Sequence, residues 1–182
     1  MDDNKLFYIA QIVGAIGLVV TLIAFQTNKR SSLIKLQTTS IIVYALHFML
    51  LGAFTGMALS LITALRNYAY RFSDKQRVSI RWPILFACIF TLATFLTWEG
   101  WISLLLLIAS LTGVYSYWQT NPKVIRWLEL TTLFWIVYNI QVRSLTGVIY
   151  EGLIVSSVIL GIYRFDIRAQ DNDSKIRSGA KT

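Results

Sequence analysis

Seven apolar stretches, each close to the length of a membrane-crossing helix, dominate the sequence. They occupy residues 6–25, 36–51, 54–70, 82–97, 101–118, 124–142 and 145–163. A helix needs roughly 20 mostly apolar residues to cross about 30 Å of hydrocarbon, with a range of about 17 to 25. The chain is 55% hydrophobic and only 14% charged, which leaves too little polar surface to cover a water-soluble globule. We therefore predict an all-α membrane protein with seven transmembrane helices.

The positions of lysine and arginine predict how these spans are oriented. If the amino terminus is outside, the basic segments at 29–35, 66–81 and 123–126 and the basic tail lie inside. Only Lys5 and Arg143 then remain outside, as the positive-inside rule requires for an odd number of spans. The net charge of +8 therefore indicates topology and not a nucleic-acid partner.

The chain is expected to form a single transmembrane domain over residues 1–168. Asp2 and Asp3 precede the first span, and no small-residue cleavage site follows it, so we do not expect a cleaved signal peptide. Residues 169–182 show no apolar period, and we expect them to form a mobile cytoplasmic tail.

A polar tripeptide, Gln-Thr-Asn, ends two of the apolar stretches and belongs to an internal repeat. A shift of 93 residues pairs 26–28 with 119–121, 38–39 with 131–132, and 70–72 with 163–165. The Thr-Gly pairs at 55–56 and 146–147 match only after a slip of two residues, so the register within the second helix of each copy stays open. Each copy contains three predicted helices, over about 6–72 and about 101–165.

An odd number of helices in each copy constrains how the two copies can be joined. Direct fusion would orient them oppositely, yet the charge bias places both Gln-Thr-Asn ends on the cytoplasmic side. One further crossing, the helix at about 82–97, restores the parallel orientation. We therefore predict two parallel three-helix repeats joined by a linker helix, a 3+1+3 arrangement.

Several motifs resemble those of known membrane proteins. The segment LFWIVYNIQVRSLTGVIYEG resembles the second and third helices of bacterial half-size SWEET transporters, and Gln26 and Gln119 lie where PQ-loop proteins carry Pro-Gln. The matching positions of that segment are Trp135, Tyr138, Arg143, Ser144 and Leu145. Over residues 5–168, with FQTNKR and TALRNYAYRF, the chain is similar to the bacterial inner-membrane YgjV family, which is grouped with the SWEET/PQ-loop superfamily. The resemblance implies an inner-membrane, SWEET-like fold and small-solute transport through a central cavity, although the superfamily also includes receptors.

The sequence departs from that superfamily at two kinds of position. Phe25 and Trp118 replace the proline that precedes glutamine, and proline follows the tripeptide only in the second copy, at Pro122. The positions that resemble the SWEET pocket asparagines fall near Leu61 and Gly152. A proline-hinged motion and a sugar substrate are therefore less expected.

Six side chains within the spans are candidates for substrate binding. They are Tyr44, His47, Trp135, Tyr138, Asn139 and Glu151. Glu151 lies about 9 Å inside its span, where an ionisable group is costly, so it is either a cavity group or proton carrier, or a buried acid bonded to a neighbouring helix. His47 is either an interhelical hydrogen-bonding group or a proton relay. If the Thr-Gly pairs fix the register, His47 pairs with Tyr138 and Tyr44 with Trp135 around one central space.

The remaining polar candidates lie nearer the cytoplasmic side. The Gln-Thr-Asn ends suggest either caps for free helix carbonyls or a cytoplasmic gate of paired amides, built from Gln26, Asn28, Gln119 and Asn121. Arg66 either extends to the interface or pairs with a carboxylate or an anionic substrate. Glu129 is interpreted as a charge near the start of its helix.

The sequence lacks the patterns that enzymes and cofactor sites require. No glycine-rich phosphate loop, metal-ligand cluster or activated nucleophile is visible, so we expect no enzymatic activity, no metal and no cofactor. The expected partners are membrane lipid and a small polar solute, and the sequence allows a homo-oligomer. The favoured function is alternating-access transport. The alternative is a non-transporting receptor or an accessory or assembly protein with the same fold.

Overall fold

The computed structural model describes residues 3–27, 30–71 and 79–167, and every regular element in these ranges is helical. The elements are α1 (Asp3–Phe25), α2 (Arg30–Leu50), α3 (Phe54–Arg71), α4 (Arg81–Leu96), α5 (Ile102–Trp118), α6 (Pro122–Glu129), a 3-10 turn (Leu130–Thr132), α7 (Leu133–Gln141), α8 (Leu145–Ile162) and a π-helical turn (Tyr163–Ile167). Because α6, the 3-10 turn and α7 follow one another without a break, the described ranges contain seven helical stretches, the number predicted. The predicted tail at 169–182 and the predicted gate residue Asn28 lie outside the described residues.

The two helical hairpins α2–α3 and α7–α8 turn in the same way. Gly52, just after α2, has a φ of 72°, and Arg143, just after α7, has a φ of 56°. The left-handed conformation commonly ends a helix and is uncommon for a residue other than glycine. The two turns are 91 positions apart, and so are the helix ends on either side of them. The Thr-Gly register therefore agrees with the backbone in the second and third helices of each copy.

Small and hydroxyl-bearing residues join α1 to α2. Thr21 and Ser40 share a hydrogen bond of 2.6 Å, and Ser40 also donates to the carbonyl oxygen of Gly17 at 2.8 Å. A side chain on Gly17 would lie about 3.1 Å from the ring of Tyr44. Helices in lipid associate through such close backbone approach and through interhelical hydrogen bonds. Lipid tails are as apolar as the helix surfaces, so the hydrophobic effect does not drive helices together there.

The helices pack around a central aromatic and aliphatic cluster and also expose apolar side chains outward. The buried cluster includes Phe48, Leu59, Phe90, Leu106 and Tyr138. α4 packs on α3 and α5, while α1 contacts α2 and α8. The outward residues include Ile12, Leu92, Leu96, Ile140 and Leu160. By length and composition, the helices Asn4–Ala24 and Leu145–Ile167 can cross a membrane, and Arg81–Leu96 and Ile102–Ser116 are shorter apolar helices.

Candidate functional site

A cavity of about 360 Å³ lies between α2, α3, α5, α8 and the continuous stretch from α6 to α7. Within the described ranges, neither α1 nor α4 contributes to its wall. Its polar lining, apart from the charged and aromatic residues, consists of Gln37, Ser60, Thr63, Asn67, Ser110, Thr131, Thr132, Asn139 and Ser157. Sites for small molecules commonly measure about 300 to 1,000 Å³, so the cavity has room for a small solute.

Three charged side chains face this cavity, namely Arg66, Glu129 and Glu151. Arg66 is only 5% exposed, and its guanidinium donates to the side-chain oxygen of Asn67 at 3.3 and 3.1 Å. A side chain on Gly113 would lie 3.2 Å from this guanidinium, so the glycine makes room for it. The structure therefore places Arg66 inside the bundle and not at the lipid interface.

The two carboxylates differ in their bonding. Glu129 accepts a hydrogen bond of 2.9 Å from the hydroxyl of Ser116, which links α6 to α5. Glu151 is only 9% exposed, and neither a hydrogen bond nor an ion pair joins it to another residue in the part of the chain that the structure describes. Since burying a carboxylate without a partner is costly, Glu151 either takes up a proton or has water or a solute beside it.

Two uncharged polar atoms in the wall also lack protein partners. Asn139 donates through its side-chain nitrogen to the carbonyl of Trp135 at 2.8 Å, whereas its side-chain oxygen is buried without a hydrogen bond among the described residues. The hydroxyl of Ser110 is in the same situation. A side chain on Gly147 would collide with the amide oxygen of Asn139. An unpaired buried polar atom costs about 1 to 3 kcal/mol, and both oxygens are almost completely enclosed by the surrounding protein.

One end of the cavity, which we name the deep end, is lined by aromatic rings and by two of these acceptors. Its residues are Tyr44, Phe48, Trp135, Asn139, Tyr150 and Glu151. The rings of Tyr44 and Tyr150 lie 4.8 Å apart, and those of Phe48 and Trp135 lie 6.1 Å apart. The deep end lies on the side of the two helical hairpins. Four predicted substrate-binding residues, Tyr44, Trp135, Asn139 and Glu151, therefore meet here.

The other two, His47 and Tyr138, lie beyond the deep end and do not line the cavity. The fully buried imidazole of His47 bonds to the carbonyl of Ala10 at 2.6 Å and to the hydroxyl of Ser144 at 2.7 Å. This environment matches the interhelical role that the sequence offered as one alternative for His47.

The hydroxyl of Tyr138, which belongs to the second copy, links helices at the same end of the bundle. It donates to the carboxylate of Glu99 and accepts from the backbone N–H of Gly56, both at 2.9 Å. Glu99 also accepts from the backbone N–H of Thr55 at 3.0 Å. Hence His47 on α2 bonds to Ser144, just before α8, and Tyr138 on α7 bonds to Gly56, near the start of α3. The second helix of each copy therefore contacts the start of the third helix of the other copy.

Among the described residues of the two Gln-Thr-Asn segments, Gln26, Gln119 and Asn121 do not line the cavity. The side-chain oxygen of Asn121 accepts from the backbone N–H of Lys123 at 3.0 Å and so caps α6. Gln26 is exposed and Gln119 is half-buried. The capping alternative is thus observed for Asn121.

Several lining residues were not singled out as candidates from the sequence, including all those on α5 and, apart from Arg66, all those on α3. Ser60, Thr63 and Asn67 lie on one face of α3 at spacings of three and four residues, a periodic polar stripe that could have revealed this wall. Ser110 and Gly147 carry no comparable signal, because small residues occur on every face of membrane helices.

Comparison with known proteins identifies the family. No curated protein and no solved structure matches the chain. The Imp-YgjV family model, described as a bacterial inner membrane protein, matches residues 8–169. Because the match covers most of the chain, the protein belongs to this family of bacterial inner membrane proteins.

Proposed function

We propose that the protein carries a small polar solute across the bacterial inner membrane by alternating access. The observation that supports this most is the cavity, in which the buried carboxylate of Glu151 has no hydrogen-bond partner among the described residues. Ionisable groups within a membrane protein commonly mark the path of a substrate or ion. This mechanism needs no catalytic group, metal, cofactor or nucleic acid.

The proposed architecture is the 3+1+3 arrangement, with α1–α3 and α5–α8 as parallel repeats and α4 as the linker. The repeated hairpin geometry at Gly52 and Arg143 supports it. So does the cavity wall, to which both repeats contribute while α4 packs outside it. In related transporters of this plan, the substrate site lies between the repeats near the middle of the bilayer.

With the amino terminus outside, the hairpin end faces the periplasm and the opposite end of the cavity faces the cytoplasm. Along α2 the wall runs from Phe48 to Gln37, which is about 16 Å at 1.5 Å per residue. The bonds of His47 and Tyr138 close the periplasmic end in this state. Transport would require these bonds to break while the cytoplasmic end, which carries the proposed Gln26, Asn28, Gln119 and Asn121 gate, closes.

Uptake into proteoliposomes tests the proposal. We would assay sugars, amino acids, amines, vitamins and nucleosides, with and without a pH gradient. Ala109→Phe places a ring in the cavity wall, and Ile108→Phe places the same ring on the exposed face of the same helix. We expect uptake of at least one solute, abolished by Ala109→Phe and retained by Ile108→Phe. Absence of uptake throughout the panel, or equal uptake by both variants, would refute the carrier and favour a receptor or accessory role.

A further inference from the structure

We propose that the deep end of the cavity binds an ammonium group, so that the solute is an organic ammonium compound. This inference rests on the proposed function, because it names the class of solute that the cavity takes. It follows from the carboxylate of Glu151, from the aromatic rings that line the same end of the cavity and from the balance of charge in the wall.

The unpaired carboxylate comes first. Glu151 lines the cavity and is 9% exposed. Its carboxylate receives no hydrogen bond within the described ranges. The amide oxygen of Asn139 is instead enclosed by Gly147 and Ser144 and is not accessible to a solute. An ammonium group offers up to three donors and no acceptor, which complements a carboxylate without a protein partner.

The aromatic rings provide a second, independent feature. Tyr44, Phe48, Trp135 and Tyr150 all line the deep end. A cation within about 6 Å of a ring centroid is attracted to the ring face, by about 2 kcal/mol or more where water is excluded. Rings assembled around a carboxylate are typical of sites that recognise ammonium groups. A neutral polyol would gain nothing from the charge of Glu151 and would leave its own acceptors facing oxygens.

The balance of charge agrees with this assignment. The wall contains two carboxylates, Glu129 and Glu151, and one guanidinium, that of Arg66. Arg66 bonds to Asn67, near the end of the cavity opposite to the deep end. The guanidinium of Arg66 thus lies away from the proposed ammonium site. An acidic group at the other end of a zwitterionic solute would lie near it.

Matched probes test the inference on the purified full chain in detergent. Each pair differs in its ammonium group: putrescine and 1,4-butanediol, choline and 3,3-dimethylbutan-1-ol, and phenylalanine and 3-phenylpropanoate, with glucose as a neutral polyol. Binding is measured by calorimetry and by thermal shift. We expect at least one ammonium probe to bind at least about tenfold more tightly than its partner. The inference is overturned if no ammonium probe binds, or if the ammonium-free members bind equally well.

Variants separate this inference from the carrier function. Glu151→Gln should weaken ammonium binding about tenfold or more, Glu151→Asp should retain part of it, and Ser156→Ala, on the exposed side of α8, should leave it unchanged. Size-exclusion profiles check that each variant folds. Ammonium binding without uptake of that probe into proteoliposomes would refute the carrier and keep the site. Uptake of an ammonium-free solute that Glu151→Gln leaves unchanged would keep the carrier and overturn the site.

Discussion

Tyr138→Phe tests whether the bonds at the hairpin end hold the two copies together. The change removes one hydroxyl from a fully buried ring and leaves the packing volume almost unchanged, so no sizeable cavity forms. It deletes a hydrogen bond to the carboxylate of Glu99, worth about 1.5 to 3 kcal/mol, and leaves the N–H of Gly56 unpaired, at about 1 to 3 kcal/mol. Because Glu99 keeps its bond from Thr55, we expect a total loss of about 3 kcal/mol.

The assay is thermal unfolding of the purified protein in detergent. For a chain of this size, about 3 kcal/mol corresponds to a fall in Tm of about 6 to 12 °C. Tyr8→Phe, which removes a hydroxyl from an exposed ring on α1, is the matched control and should change Tm very little. Combining Tyr138→Phe with Glu99→Gln should give less than the sum of the two single effects. If Tyr138→Phe unfolds at the same temperature as the control, the bonds between the two copies do not stabilise this state and the proposed closure of the hairpin end loses its physical basis.

Three further substitutions test other contacts. Gly147→Ala should lower both Tm and solute affinity because its methyl group collides with Asn139. The control Gly152→Ala, whose methyl group meets nothing within 4 Å, should be neutral or stabilising by up to about 1 kcal/mol. Equal melting temperatures for the two variants would contradict this prediction. His47→Leu should cost about 2 kcal/mol by removing the bonds to Ala10 and Ser144, measured by thermal unfolding, and an unchanged Tm would remove His47 from the closure. Arg126→Met should free the π-helical turn by breaking the pair with Asp166, seen as faster hydrogen exchange at 163–167, and unchanged exchange would show that other contacts hold the turn.

The sequence predicted the helices well because their length and apolar composition are local properties. It could not predict how each helix is rotated, and Tyr44 and His47 illustrate the reason. Side chains three positions apart on an α-helix point in directions that differ by about 60°. The sequence is therefore compatible with Tyr44 and His47 facing the same space. Packing against α1 decides the matter: His47 bonds to Ala10, and only Tyr44 lines the cavity. The rotation of α7 was equally unpredictable from the sequence. Asn139 lines the cavity, whereas the neighbouring Tyr138 does not.

The backbone change in the second copy also lacked a local signal. A Thr-Thr pair occurs at 38–39 within the continuous α2 and again at 131–132, where the helix narrows to a 3-10 turn. The same dipeptide therefore adopts two conformations. In the second copy the hydroxyl of Thr131 donates to the carbonyl of Leu128 at 2.8 Å, but such a bond is available to threonine in either kind of helix.

That 3-10 turn has a consequence for the two-residue slip between the two sequence repeats. From Gln26 to Gly52 the chain advances 26 positions, but from Gln119 to Arg143 it advances only 24. One of the two missing residues falls in the connection before the helix and the other in the helical stretch itself, which is Arg30–Leu50 in the first repeat and 122–141 in the second. One missing residue shortens an α-helix by about 1.5 Å, and three residues in a 3-10 turn, which rise about 2.0 Å each, recover about 1.5 Å. A local stretching of the peptide backbone thus gives two helical segments of unequal residue number nearly the same length.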